Sequence, residues 1–244
     1  MSDDVMQSSD EMNPNITWHQ GQPYSTHFQD VYFSTDDGLA ETRYVFLQGN
    51  DLATRFQLAN IHPFTIIETG FGTGLNFLCA AQFWLENASE KAVMHFISVE
   101  KFPLNLNEIT LAQSNWPSLE LISHAFLAKY SQLLKGKNSI WLFDQRVQLT
   151  LLFDDAYHCL KTLNLKADAW FLDGFTPAKN PDMWSAELFE QVARLSDKNS
   201  TFATFSSASM VRRGLLAAGF VVQKRSGFGK KREMLTGYFL SNNP

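Results

Sequence analysis

Alternating blocks of apolar and polar residues set the plan of this chain. Runs rich in β-branched and aromatic residues at 64–68, 94–100, 148–153, 169–173 and 201–206 read as buried strands. Between them, apolar residues recurring at three- and four-residue spacing predict helices over about 74–87, 104–114, 119–134, 156–163, 183–196 and 208–218, the last stopped by Gly219. Such alternation predicts an α/β fold: a mostly parallel sheet with helices on both faces, since parallel neighbours need a crossover and strands apolar on both sides need two covers. Two more strands, 220–224 and 234–240, follow without a helix between them and are expected to close the sheet edge as a hairpin. Ahead of this region, Val31-Tyr32-Phe33 and Arg43-Tyr44-Val45-Phe46-Leu47 flank Asp36-Asp37-Gly38. That turn signal predicts a β-hairpin in an extension over 16–60, followed by the main domain at 61–244.

Composition narrows the class. A hydrophobic fraction of 45% with 21 phenylalanines suits a well-packed globule, and 18% charged residues are too few for wholesale disorder. Residues 1–15 are polar and acidic, unlike a signal peptide, and are expected to form a disordered lead. No apolar run is long enough to span a bilayer, so no membrane partner is expected. Cys79 and Cys159 are the only cysteines and form no Cys-x-x-Cys pair, which fits a reducing cytoplasm. The six histidines lack metal-binding spacing, so no metal is expected, and the absence of a Gly-x-Ser-x-Gly elbow and of a P-loop argues against a serine hydrolase and a P-loop nucleotide site.

The richest segment is Ile66-Ile67-Glu68-Thr69-Gly70-Phe71-Gly72-Thr73-Gly74-Leu75, a strand that runs through three alternating glycines into an apolar helix. Glycines there let the backbone turn sharply and approach a ligand closely. The next strand ends on Glu100, where a carboxylate can accept hydrogen bonds from both hydroxyls of a ribose. Adenosine is therefore the expected moiety. Leu75 stands where a dinucleotide site needs Gly or Ala, and Glu68 beside the loop suits a cationic amino acid better than a pyrophosphate, which favours S-adenosylmethionine over NAD.

Two later strand ends carry acids. Asp155, after Leu151-Leu152-Phe153-Asp154, can accept the adenine amino group, although capping of the next helix explains it equally well. Asp173 opens a loop, Gly174-Phe175-Thr176-Pro177, beside the expected position of the cofactor's methyl group. An alkyl amine acceptor arrives protonated, with a pKa of about 10.4 for a lysine-like group, and Asp173 can orient it and take its proton. Despite the net charge of −5, Arg212, Arg213, Lys224, Arg225, Lys230, Lys231 and Arg232 lie in one stretch without an acid. With Phe228 among them they form a set suited to RNA phosphates and bases.

Five segments together carry a resemblance: DVYFSTDDGLAETRYVFLQGN (30–50), ETGFGTGLNFL (68–78), ISVEKFPL (97–104), WFLDGFTPAKNPDMW (170–184), and VRRGLLAAGF with KRSGFGKKREML (211–235). The chain from Trp18 onward resembles the methyltransferase half of the bacterial MnmC proteins of tRNA 5-methylaminomethyl-2-thiouridine biosynthesis, a half that also exists alone as MnmD. The resemblance implies a class I, Rossmann-like methyltransferase that uses S-adenosylmethionine to methylate the aminomethyl group of a wobble uridine. By motif it implies cofactor contacts from Glu68, Gly70, Gly72, Gly74 and Glu100, with Asp155 near adenine and Asp173 facing the acceptor amine. Phe175 and the 225–232 loop would meet the anticodon region of tRNA. Asp154, the pair Asn199-Ser200, and Ser209 stand where the family pattern has glycine. No segment resembles the FAD-dependent oxidase half of the fused relatives, so that half is expected as a separate or fused partner. A non-catalytic RNA-binding module of the same fold and an NAD-dependent oxidoreductase are the other two readings.

Overall fold

In the computed structural model, residues 15–19, 21–34, 37–59 and 62–240 are described. The first fourteen residues of the expected lead, and Asp36 of the expected turn, lie outside them. The centre is an eight-stranded sheet built from β4 (Phe64–Thr69), β5 (Met94–Val99), β6 (Gly136–Leu142), β7 (Val147–Phe153), β8 (Ala167–Leu172), β9 (Ser196–Thr204), β10 (Phe220–Ser226) and β11 (Glu233–Phe239). Its order is β10-β11-β9-β8-β4-β5-β7-β6. The five strands from β9 to β7 run parallel, while β11, β10 and β6 complete the edges antiparallel. Chain order reverses direction at β4, flanked by β8 and β5, and a crevice opens at such a reversal beyond the strands' carboxyl ends.

Helices cover both faces, as the alternation predicts. On one side α3 (Leu75–Asn87), α4 (Leu106–Gln113) and α5 (Glu120–Tyr130) pack on the sheet, where Phe77, Trp84, Phe96, Phe126 and Phe171 form one core. On the other, α6 (Ala156–Thr162), α7 (Ala186–Arg194) and α8 (Ser209–Ala217) accompany a second core that includes Ile67, Trp170, Leu188, Val192 and Leu215. Adjacent Trp170 and Phe171 thus enter opposite cores, the two-residue period of a strand buried on both sides.

Three expectations need correction. The hairpin with a strand at 43–47 does not form. Asp37 instead caps a helix, its side chain accepting from the Ala40 N–H, and α1 (Gly38–Thr42) runs into a π-helical stretch (Arg43–Gln48) and then α2 (Leu52–Gln57). Val45, Phe46 and Leu47 are all buried, and three consecutive buried residues suit a wide helical face better than a half-exposed strand. The antiparallel sheet of the extension lies earlier, in β1 (Ile16–His19), β2 (Gln22–Ser25) and β3 (Asp30–Val31). Strand β6 is a second departure: the predicted helix stops at Tyr130, and the chain returns as an edge strand paired with β7. Third, α7 ends at Arg194 and β9 begins at Ser196, five residues before the expected strand. Asn199 lies within it at φ 76°, a left-handed conformation that asparagine tolerates where the family pattern has glycine.

The extension shares the core of the main sheet. Asn50 donates to the carbonyls of Phe46 and Trp170 and accepts from the Thr201 hydroxyl at 2.7 Å, tying the π-helical stretch to β8 and β9. Phe56 packs edge-on against Phe64 and Trp84, with centroids 5.1 and 4.8 Å away. Phe56→Ala should therefore cost about 3–5 kcal/mol, read as a lower urea midpoint in one cooperative transition. A separate early transition for the extension would contradict the shared core.

Candidate active site

Two loops at the sheet's reversal point are fastened together. The Thr69 hydroxyl, at the end of β4, donates to the Asp173 carbonyl at 2.8 Å and accepts from the Asp173 N–H at 3.0 Å. Gly70 follows at φ 85°, and a Cβ there would lie 3.3 Å from the Gly174 Cα, so the loops meet backbone to backbone. Gly74, also left-handed, turns the chain into α3 against the Phe71 ring. A cavity of about 730 Å³ opens above these loops, a size suited to a nucleoside-sized ligand.

The expected site residues fall into three groups. Gly70, Gly72, Glu100, Asp155, Asp173, Phe175, Phe228, Lys230 and Lys231 line the cavity. Gly74 and Glu68 do not: Gly74 shapes the loop from behind, and Glu68 is fully buried beneath it. Arg212, Arg213, Lys224, Arg225 and Arg232 also lie off the cavity wall. Arg212 and Arg213 are exposed on α8, whereas Lys224 and Arg225 belong to β10, Lys224 paired with Glu233 at 2.8 Å. The basic stretch is thus partly neutralised by acids from elsewhere, since Lys231 pairs with Glu41 at 2.7 Å and stands 4.3 Å from the Phe205 ring centroid.

Each acid is differently held. Glu100 accepts from the N–H groups of Gly72 and Phe102, both at 2.8 Å; burial raises its pKa and these bonds oppose the rise. Asp155 caps α6 through the N–H groups of Tyr157 and His158 while its other oxygen meets Lys101 at 3.3 Å, so capping and cavity lining coexist. Asp173 accepts from the Gly174 N–H at 2.8 Å and from Asn76 at 2.7 Å. Burial pushes its pKa up to about 6, against the pull of those two bonds; Glu41 adds to the rise and Lys231 opposes it.

The extension supplies walls that the sequence pattern did not disclose. Phe28 stacks on Phe175 with centroids 4.6 Å apart, and Tyr32 meets the same ring edge-on. Asp30 accepts from both the N–H and hydroxyl of Thr176, and Lys179 pairs with it at 3.2 Å. Thr42 and Asn76 also face the cavity. Asn76 leaves one faint trace, an amide in a first helical turn whose other residues, Leu75, Phe77 and Leu78, are apolar.

Residues 117–239 match the model of a family described as S-adenosyl-L-methionine-dependent methyltransferase. The chain belongs to that family. The methyltransferase is also 53% identical over 228 residues to the tRNA 5-methylaminomethyl-2-thiouridine biosynthesis bifunctional protein MnmC of Methylobacillus flagellatus, covering 93% of this chain and 35% of that protein. The protein of the same name from Ectopseudomonas mendocina is 50% identical over 233 residues, covering 95% of this chain and 36% of its own length. The chain thus spans about a third of the length of these relatives. The crystal structure of MNMC2 from Aquifex aeolicus superposes with a TM-score of 0.74 at 23% identity, covering 91% of this chain and 68% of that one, which shows the shared fold.

S-adenosylmethionine is accordingly the cofactor of the methyltransferase, in preference to NAD, and the cavity fits it. At Gly72, where a Cβ would come within 3.2 Å of Tyr32, only glycine leaves the space open, and the half-buried carboxylate of Glu100 lines the same cavity. Glu100→Ala should weaken S-adenosylmethionine binding by roughly tenfold or more, as expected for hydrogen bonds to a charged group. Isothermal titration would check this, and an unchanged affinity would remove Glu100 from the cofactor site.

Proposed function

We propose that the chain transfers the methyl group of S-adenosylmethionine to the exocyclic amine of 5-aminomethyl-2-thiouridine, or its 2-oxo form, at the wobble position of tRNA. The product is the corresponding 5-methylaminomethyl uridine, made in the cytoplasm. Asp173 carries this reading: a carboxyl with a pKa near 6, facing a cavity walled by aromatic rings, at the carboxyl end of a central strand. The relatives' part in 5-methylaminomethyl-2-thiouridine biosynthesis supplies the substrate class. An FAD-dependent oxidase, fused or separate, would deliver the aminomethyl group.

When bound, the cofactor supplies a methyl on a sulfonium, whose departure leaves a neutral thioether holding the former carbon–sulfur electron pair. Asp173 takes a proton from the incoming ammonium, which frees the nitrogen lone pair to form the new carbon–nitrogen bond. The product amine is left as a secondary ammonium, so one proton is released overall. Holding amine and methyl in line within the walled cavity supplies much of the acceleration. Glu100 would grip the ribose and Asp155 would stand at adenine, with the backbone of Gly70 and Gly72 close to the methionine portion. Phe175 with Phe28 would bound the nucleobase. Phe228 and the cations of 212–232 would meet the tRNA backbone around the anticodon.

Labelled methyl should pass to tRNA bearing the aminomethyl group and not to tRNA bearing carboxymethylaminomethyl. Incorporation into neither, with cofactor binding intact, would favour a non-catalytic RNA-binding module. Asp173→Asn should lower turnover by roughly 10²–10⁴-fold. Because the raised pKa protonates Asp173 below about pH 6, wild-type turnover should fall on the acid side of that value. The salt dependence of tRNA affinity gives a separate check: neutralising Lys230 and Arg232 should flatten the log–log slope by about 0.9 per lost duplex phosphate contact. An unaltered slope would place those residues away from the RNA.

A further inference from the structure

A buried polar network lies behind Asp173. The side-chain nitrogen of Asn76 donates to Asp173 at 2.7 Å and to the Glu68 carboxyl at 2.9 Å, and its oxygen accepts from the Thr42 hydroxyl at 2.9 Å. The other oxygen of Glu68 accepts from the Ser98 hydroxyl at 2.5 Å. Both amide hydrogens of Asn76 are committed, and turning the amide over would aim its oxygen at two carboxyl groups. Its orientation is therefore fixed by chemistry as well as by packing.

We propose that Asn76 and Glu68 are positioning residues for the methyl transfer: Asn76, held between Glu68 and Thr42, sets the rotation of the Asp173 carboxyl toward the acceptor, and Glu68 acts through Asn76 without touching the cofactor. This rests on Asp173 being the base of the proposed reaction. It reassigns Glu68, whose place beside the glycine loop suggested a partner for the cofactor's amino group. Glu68 has no exposed surface, does not line the cavity and has its hydrogen-bonding oxygens engaged by Asn76 and Ser98.

The network also decides which carboxyl ionises. Among the described residues no cation pairs with Glu68, and burial pushes its pKa well up; Asp173 and Glu100 push the same way, while the Ser98 and Asn76 bonds oppose them. Asp173, open to the cavity and faced by Glu41 and Lys231, loses its proton more readily. Two carboxyls joined by one amide do not both ionise cheaply. Glu68, deep in the fold, resists ionisation, with the Ser98 hydroxyl able to accept its O–H instead of donating, which leaves the negative charge on the group that meets the amine.

The test combines cofactor titration with the pH dependence of turnover in the full chain. Glu68→Ala and Glu68→Gln should bind S-adenosylmethionine within about twofold of wild type. Glu68→Ala should lower turnover by about tenfold or more, and Glu68→Gln, which can still accept from Asn76, should recover most of that loss. Asn76→Ala removes a donor that favours ionised Asp173, so the acid limb should move upward by about one pH unit. Cofactor affinity lowered tenfold in Glu68→Gln would overturn the reassignment. A limb that vanishes in Asp173→Asn yet stands unmoved in Asn76→Ala would overturn the positioning pair alone. A limb that persists in Asp173→Asn would overturn both the pair and the role of Asp173 as base.

Discussion

One hydroxyl holds the site together. Thr69 both donates to and accepts from the backbone of Asp173, so the ends of β4 and β8 cannot shift independently. Parallel neighbours are already in register up to Thr69 and Leu172, and the hydroxyl carries that register one step past the sheet, where no ladder bond would otherwise hold it. The glycine loop and the acid loop thereby become one rigid piece. Gly70 pressed on Gly174 follows from that closeness, as does the short reach from Asn76 on α3 to Asp173. Reaction geometry tolerates little displacement, and a hydroxyl buried in the sheet, exchanging two bonds with backbone, is a stiffer support than any loop side chain.

The extension completes this piece from above. A three-stranded sheet of ten residues has little interior of its own, and its stability comes from what it is fastened to. Asp30 is the fastening. Burial of the group opposes its ionisation, yet the Thr176 bonds and the Lys179 ion pair keep its pKa below the ordinary carboxylate value. A half-exposed ion pair alone contributes little; the two Thr176 bonds give the direction, binding β3 to the very loop that carries Asp173 and Phe175. With Phe28 stacked on Phe175, the extension forms a wall of the cavity as well as a covering of the sheet.

What could be read from sequence follows the strength of local signals. The central strands were legible because each is a continuous apolar run bounded by breakers, and strand ends in a parallel sheet point to the site by topology alone. Hence the places of Glu100 and Asp173 beside the cavity are legible without knowledge of contacts. Strand β6 carries a weak signal because three of its seven residues are exposed and its sequence, Gly136-Lys137-Asn138-Ser139-Ile140-Trp141-Leu142, offers only a short apolar run at one end. The Asp37-Gly38 pair is ambiguous, because an acid that starts a turn and one that caps a helix look alike until the burial of Val45, Phe46 and Leu47 is known. The difference reaches the site, since Glu41 and Thr42 lie on α1, where the pattern predicts a hairpin. Glu68 shows the opposite case: it stands beside the glycine loop as expected, and its surroundings, which depend on Ser98 and Asn76 from two other elements, favour the proposed positioning role over a cofactor contact.

An acidic protein proposed to act on a polyanion must keep its charges apart. Inside the cavity, carboxyl groups suit a cationic methyl donor and a cationic amine; at the rim, cations suit phosphate. Net charge of −5 expresses the sum and hides this division. Lys231 stands on the boundary, paired with Glu41, beside the Phe205 ring and close enough to Asp173 to lower its pKa. Were Lys231 drawn outward by phosphate, Glu41 would lose its partner and Asp173 a neighbouring cation, and both changes would make Asp173 a stronger base. In the proposed reaction the arrival of RNA and the readiness of Asp173 to accept a proton would be linked through a single ammonium group.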